Sequence, residues 1–188
     1  MLRFNWQQLS DQVAVCEKCG LCKTRTHTAF GEGNLHARIL FVGEGPGQEE
    51  DRLGRPFVGP AGQLLDRMLL SIDLNRDLVY IANVVKCRPP KNRNPQEEEA
   101  EACLPYLRAQ YALLQPEIIV CLGAVAAKYL IDRDLRITRD RGKWIKKGNT
   151  WFLATYHPAA LLRDETKKRD AWTDMQAIAA KYKEVMDN

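Results

Sequence analysis

Six cysteines stand in a chain of 188 residues, and four of them have spacings that suit a metal. Cys16 and Cys19 enclose two residues, which lets both thiolates face one centre. Cys87 and Cys103 make a wider second pair, with fifteen residues between them. Cys22 extends the first pair into what looks like the opening of a bacterial ferredoxin run, but the position that run would use next is Thr26. The fourth ligand must come from elsewhere, so the economical set is Cys16, Cys19, Cys87 and Cys103, with Cys22 a spare thiol. Cys121 lies inside an apolar run and reads as a small buried hydrophobe. Zinc and an iron–sulfur cluster both take four thiolates, so spacing leaves the two open, and the motif alone leans to zinc.

A second set of chemistry-bearing residues is spread along the chain. Gly43-Glu44-Gly45-Pro46-Gly47 follows four apolar residues, and its single acid sits in a turn built from glycines. A phosphate loop would need a lysine followed by Ser or Thr, or the full G-x-G-x-x-G, and neither is present. Asn83 and His157 each close another apolar run.

The elements that must position these residues are legible from apolar periodicity. Short buried strands are expected at 39–42, 79–85, 118–122 and 151–154. Helices are expected over 5–15, from Pro60 onward, over 96–114, over 124–130 and over about 169–185, with Gly-, Pro- and charge-rich loops at 51–62 and 86–95. Alternating strands and helices imply right-handed crossovers and an α/β three-layer sandwich, with a central four-stranded, mostly parallel sheet in a single domain spanning 1–188. In such a sheet the carboxyl ends of the strands share one edge. Gly43 to Gly45, Asn83, Gly123 and His157 should therefore be neighbours.

Composition narrows the class. At 45% hydrophobic residues the chain can bury a core, and a net charge of +4 is compatible with a polyanionic partner without demanding one. There is no run of eighteen or more apolar residues, and the N-terminal residues 1–6 lack the apolar core of a signal peptide. The expectation is a cytoplasmic protein with no membrane association and reduced cysteines.

Four stretches together resemble the family 4 uracil-DNA glycosylases. They are Gly43-Glu44-Gly45-Pro46-Gly47, the run from Gly54 to Gly62 (GRPFVGPAG), the run from Asn83 to Pro90 (NVVKCRPP), and the run from His157 to Leu162 (HPAALL). The resemblance extends from Cys16 to about Arg163, in the same order. It implies a [4Fe-4S] cluster on Cys16, Cys19, Cys87 and Cys103, which reverses the lean to zinc. It also implies hydrolysis of the bond between uracil and deoxyribose in a flipped-out nucleotide of single- or double-stranded DNA, with free uracil and an abasic site as products. A monomer acting on the nucleoid in base excision repair is expected.

The resemblance also implies roles for individual residues. Asn83 would read uracil O4 and N3–H, since a side-chain amide presents a donor beside an acceptor. Phe57 would stack on the base, and the backbone of Gly43, Glu44 and Gly45 would wrap it. His157 would donate to uracil O2 as charge develops there. Relatives in the wider superfamily carry an aspartate at the position of Gly45 to orient the attacking water; with no side chain here, Glu44 is the first candidate for that role and Glu50 the second. Glu50 is alternatively a pocket wall near uracil C5. Leu161, Leu162 and Arg163 resemble the intercalation loop that fills the space of the flipped base. Lys86, Arg88, Lys91 and Arg93 are candidates for phosphate contacts.

Three other readings compete: a lesion-binding module without catalysis, the related class that cross-links to its product through a loop histidine, and a nucleotide-binding enzyme. Intact Glu44, Asn83 and His157 oppose the first, and the absence of histidine from 84–95 opposes the second. The missing lysine and hydroxyl oppose the third.

Overall fold

The computed structural model describes residues 5–187; most of the N-terminal stretch read for a signal peptide, residues 1–4, lies outside them. The sheet has six strands where the sequence suggests four. They are β1 (Glu32–Gly33), β2 (Ile39–Gly43), β3 (Tyr80–Asn83), β4 (Ile118–Leu122), β5 (Ile145–Lys147) and β6 (Thr150–Thr155), arranged β1-β3-β2-β4-β6-β5. The four expected strands are the parallel centre, and the two extra ones are antiparallel edges. Both edges are short, and β5 is exposed along its whole length, so neither carries the apolar run that marks a buried strand.

Every residue of β2, β3 and β4 is buried, as expected of parallel strands covered on both faces. Side chains alternate between the faces. Leu40, Val42, Tyr80, Ala82, Ile119 and Cys121 belong to one apolar cluster, while Ile39, Phe41, Ile81, Val120 and Leu122 belong to another. The first cluster includes residues of helices α1 (Trp6–Ala14), α4 (Glu97–Leu114) and α5 (Ala124–Leu130); the second includes residues of α3 (Pro60–Leu70) and α8 (Lys168–Met186). This is the three-layer α/β arrangement expected.

Helix ends are fixed by their own chemistry. α1 starts at a capping box, with Asn5 Oδ1 accepting from Gln8 N and Gln8 Oε1 accepting from Asn5 N. α3 begins with Pro60 behind Gly59, and α4 with Glu99 folding back onto Gln96 N. Three further short helices were not foreseen: α2 (Gln48–Leu53), which runs into the stretch 51–62 read as loop, α7 (Pro158–Arg163), which includes the expected intercalation loop, and α6 (Ile137–Asp140). α7 matters most, because it turns the expected intercalation loop into one and a half turns of helix with defined inner and outer sides.

Candidate active site and cysteine chamber

The parallel register brings the sequence-distant motifs to one edge. Gly43 and Asn83 end neighbouring strands as direct partners. Gly123 N–H donates to Thr155 O at 2.8 Å, which places the ends of β4 and β6 alongside. A Cβ on Gly123 would come within 3.0 Å of His157 Cβ, and this residue already holds φ +93. Glycine there lets β4 turn away beneath the histidine. Beyond these ends opens a cavity of about 570 Å³ lined by Glu44, Gly45, Phe57, Asn83, His157 and Arg163, among others.

The floor is held tightly. A Cβ on Gly43 would lie 2.4 Å from Phe57 Cζ and 2.5 Å from Asn83 Oδ1, so any larger residue displaces both groups. Phe57 adopts φ 53, a left-handed conformation unusual for a non-glycine residue and costing on the order of 1–3 kcal/mol. Its surroundings hold it there. Arg76 donates to Pro56 O at 3.1 Å and to Phe57 O, while Glu50 Oε1 accepts from Val58 N and Gly59 N at 2.8 Å each. The Phe57 ring lies stacked beside the His157 ring, with centroids 5.5 Å apart.

These bonds change the reading of Glu50. Its other oxygen, Oε2, accepts from Gly47 N at 3.1 Å, so three backbone amides occupy the carboxylate. It borders the cavity as a clasp for the Phe57 loop, and an acceptor so occupied is poorly free to take a proton from water. Glu44 differs. Its carboxylate makes no hydrogen bond among those described, and burial raises its carboxyl above the ordinary range, opposed by the nearby Arg163 guanidinium. At Gly45 a Cβ would meet Val85 Cγ2 at 2.7 Å, so the packing of the loop after β3 leaves no room for a side chain there.

His157 is prepared as a neutral donor. Its Nδ1 accepts from Ala159 N at 3.1 Å, capping α7, so the neutral ring carries its proton on Nε2. Burial, helped by Arg163, lowers its pKa from 6.5 to about 4. Asn83 completes the constellation. It is 1% exposed, and its Oδ1 is the one buried side-chain polar atom without a hydrogen-bond partner among the described residues. An acceptor left bare in a protein interior costs on the order of 1–3 kcal/mol unless a ligand meets it.

Residues 30–176 match the family model of the Uracil DNA glycosylase superfamily. The chain belongs to that superfamily. It is 47% identical over 164 residues to a type-4 uracil-DNA glycosylase of Thermotoga maritima, covering 85% of this chain and 84% of the relative. Against a type-4 uracil-DNA glycosylase of Archaeoglobus fulgidus it is 46% identical over 177 residues, covering 89% and 88%. A type-5 uracil-DNA glycosylase of Pyrobaculum aerophilum is 33% identical over 147 residues, covering 69% and 64%.

For this glycosylase chain, the residues assigned to DNA sort by burial. Leu162 is 44% exposed at the cavity rim, but Leu161 is 2% exposed and packs with Tyr156 and Ala171 beneath α7. Leu161 is therefore a core residue and no intercalating one, because consecutive helical positions point to different sides. Lys86 is also displaced from its expected role. At 1% exposure its ammonium bonds Asn83 O at 2.9 Å and Gln110 Oε1 at 2.6 Å, out of reach of any phosphate, and burial lowers its pKa to about 8. Arg93 is paired with Glu99. Arg88, Lys91 and Arg163 are part- or fully exposed and make no ion pair among those described.

The cysteines behave as two groups. Cys16, Cys19, Cys22, Cys87 and Cys103 all line one cavity between α1, α4 and the loop after β3, while Cys121 is fully buried in β4. Burial pushes the Cys87 thiol up to about 11 and raises Cys19 and Cys103, yet N–H donors point at the sulfurs. Arg25 Nη1 donates to Cys87 Sγ and Lys86 N to Cys103 Sγ, both at 3.3 Å. A thiol is a weak acceptor and a metal-bound thiolate a strong one, so this donor set fits a metal-ligating chamber. Among the described residues no three Cys, His, Asp or Glu side chains converge on a point that one ion could fill. Arg25, which also donates to Cys16 O and Ala14 O, gave no signal in the sequence, being a lone basic residue outside every motif.

Proposed function

We propose that this protein hydrolyses the N-glycosidic bond of deoxyuridine in DNA, releasing uracil and leaving an abasic site, as a first step of base excision repair. The observation that carries the reading is the unpartnered Asn83 Oδ1, 1% exposed in the wall of the cavity beyond the strand ends. Uracil N3–H would satisfy it while the amide nitrogen donates to O4. Cytosine offers no proton at N3 and a donor at C4, so both contacts would fail.

The reacting bond joins N1 of the base to C1′ of the sugar. As it breaks, the electron pair stays on uracil, and negative charge gathers at O2. The His157 Nε2–H would meet that charge as a neutral donor, at no cost of proton transfer from solvent. Phe57 would stack on the base and keep water from its face. The cationic sugar carbon then takes a water, whose proton leaves to solvent; Glu44, whose carboxylate is unbonded in the pocket wall, would orient it. Leu162 would enter the stack where the base has left, and Arg88 and Arg163 would hold phosphates.

Cys16, Cys19, Cys87 and Cys103 would hold a [4Fe-4S] cluster. The N–H donors that Arg25 and Lys86 aim at Cys87 Sγ and Cys103 Sγ support metal-bound thiolates there, and the choice of a cluster over zinc rests on the resemblance to family 4. Bound there, the cluster would supply cross-linking of α1, α4 and the loop after β3.

The test is release of uracil from a uracil-containing oligonucleotide, read as alkali-labile strand breaks, by wild type and Asn83→Asp. Wild type should cleave uracil sites and leave cytosine sites intact. Asn83→Asp should lose discrimination between the two bases, because a carboxylate must be protonated before it can donate. Full uracil excision by Asn83→Asp with cytosine still refused would remove Asn83 from base reading.

A further inference from the structure

Lys86 lies behind the pocket, and its bonds run in two directions. Past Asn83 the chain keeps its β2 neighbour, with Val84 N–H donating to Gly43 O at 2.9 Å and Val85 N–H to Glu44 O at 3.1 Å. On the other side β1 reaches only as far as Glu32 opposite Ile81. Successive backbone groups of a strand point to opposite neighbours, so the Asn83 carbonyl faces the side where β1 has ended. Lys86 Nζ takes the place of the missing strand at 2.9 Å.

The ammonium is held from behind by Gln110. Gln110 Oε1 accepts from Nζ at 2.6 Å, and Gln110 Nε2 donates to Phe30 O at 2.9 Å and Tyr80 Oη at 3.4 Å. Gln110 belongs to α4, the helix that also carries Cys103. The Lys86 backbone N–H donates to Cys103 Sγ at 3.3 Å, and its carbonyl accepts from Ala29 N at 2.8 Å. One residue thus bonds the last backbone carbonyl of β3 with its side chain and the cysteine chamber with its main chain. No carboxylate contacts the ammonium in the described residues, so a neutral side chain of similar length would forfeit hydrogen bonds without stranding a counter-ion.

We propose that Lys86 is a positioning residue for base recognition: its ammonium, held between the Asn83 carbonyl and Gln110, sets the backbone from which the Asn83 amide meets the base, and ties that setting to the Cys103 side of the chamber. The inference rests on the pocket being the uracil site. Lys86 acts through Asn83 and touches no substrate.

The experiment compares iron-loaded wild type, Lys86→Met and Lys86→Gln in four measurements: iron content, affinity for a uracil-free oligonucleotide, single-turnover excision, and inhibition by free uracil. Lys86→Met should keep iron and uracil-free DNA affinity, while excision slows and uracil inhibition weakens by about tenfold each, the scale of one mis-set polar contact. Lys86→Gln, which keeps a donor, should recover part of both. Unchanged uracil inhibition in Lys86→Met overturns the proposal. Loss of iron or folding in both variants also overturns it and makes Lys86 part of the scaffold, and weaker uracil-free DNA binding alone would return it to the phosphates. A wild type that releases no uracil would instead sink the functional reading itself.

Discussion

The pocket and the cysteine chamber lie on either side of the loop that follows β3, and they treat their polar groups in opposite ways. In the pocket, Asn83 Oδ1 is bare, the Glu44 carboxylate makes no hydrogen bond among those described, and the His157 ring has one nitrogen engaged and the other free to donate. Around the chamber, Arg25, Lys86 and Gln110 are bonded to backbone carbonyls, sulfur or one another. A surface that must receive a ligand keeps hydrogen-bonding capacity in reserve, whereas one that must hold a shape uses it internally. The shared loop lets the second region set the geometry of the first.

The largest expected effect breaks the chamber. Cys103→Ala should lose iron and sulfide and lower the melting temperature, and excision should fall with them, since α4 and the loop after β3 are no longer joined. Cys121→Ala, by contrast, removes a buried atom from β4 and should keep the iron, at a cost of about 1 kcal/mol. Colorimetric iron analysis beside thermal melts checks both. A Cys103→Ala protein with full iron would take Cys103 out of the ligand set.

Next comes the pocket's donor. His157→Ala should slow single-turnover excision by on the order of 10²-fold or more while DNA binding persists. The pH dependence has a definite sign. With a folded pKa lowered from 6.5 to about 4, His157 stays neutral in the fold across that window, so the excision rate should show no inflection near 6.5 from this residue. Unfolded chains take up the proton there, so the histidine's contribution to stability is complete above about pH 6.5 and is lost as pH falls toward 4. An activity profile that falls as pH rises through about 6.5, and that only His157→Ala flattens, would show that the imidazolium is the working form.

Glu44→Gln should cost less than His157→Ala, within about tenfold, because the amide can still orient a water; a general base would be missed by about 10²–10⁴-fold. Rapid-quench rates on the two variants decide which residue carries more of the barrier. The smallest effect is at the rim. Arg88→Ala should weaken DNA binding a few-fold, equally for uracil-containing and uracil-free oligonucleotides, and reduce the salt slope by about one. A selective loss for uracil-containing DNA would place Arg88 in recognition.

Residues 51–62, read as loop because of their Gly, Pro and charge, show where sequence patterns run out. Part of the stretch closes α2, and the remainder holds Phe57 in a left-handed turn that no local preference favours; Glu50 of α2 and Arg76, in the turn before β3, keep it there. The candidate site shows the same division. Gly43, Asn83 and His157 could be placed together from the sequence because each follows an apolar run, and parallel strands with helical crossovers leave all such ends on one edge. That Cys121 is core followed equally from its place inside a strand.

Inside and outside, however, were decided by packing. Lys86 and Arg88 are two basic residues in one loop, yet the first is enclosed behind Asn83 and the second faces solvent with Asn92 as its neighbour. Leu161 and Leu162 are chemically identical, and the roll of α7 against Tyr156 and Ala171 buries one and presents the other. Periodicity records how residues alternate along an element, so the sequence by itself determined the four parallel strands, most of the helices and the edge where the site forms. It does not record how an element is rotated against its neighbours or which backbone groups a strand end leaves without a partner. Those depend on contacts between segments far apart in the chain, and only the tertiary structure turned Lys86 inward and Glu50 onto the amides of the Phe57 loop.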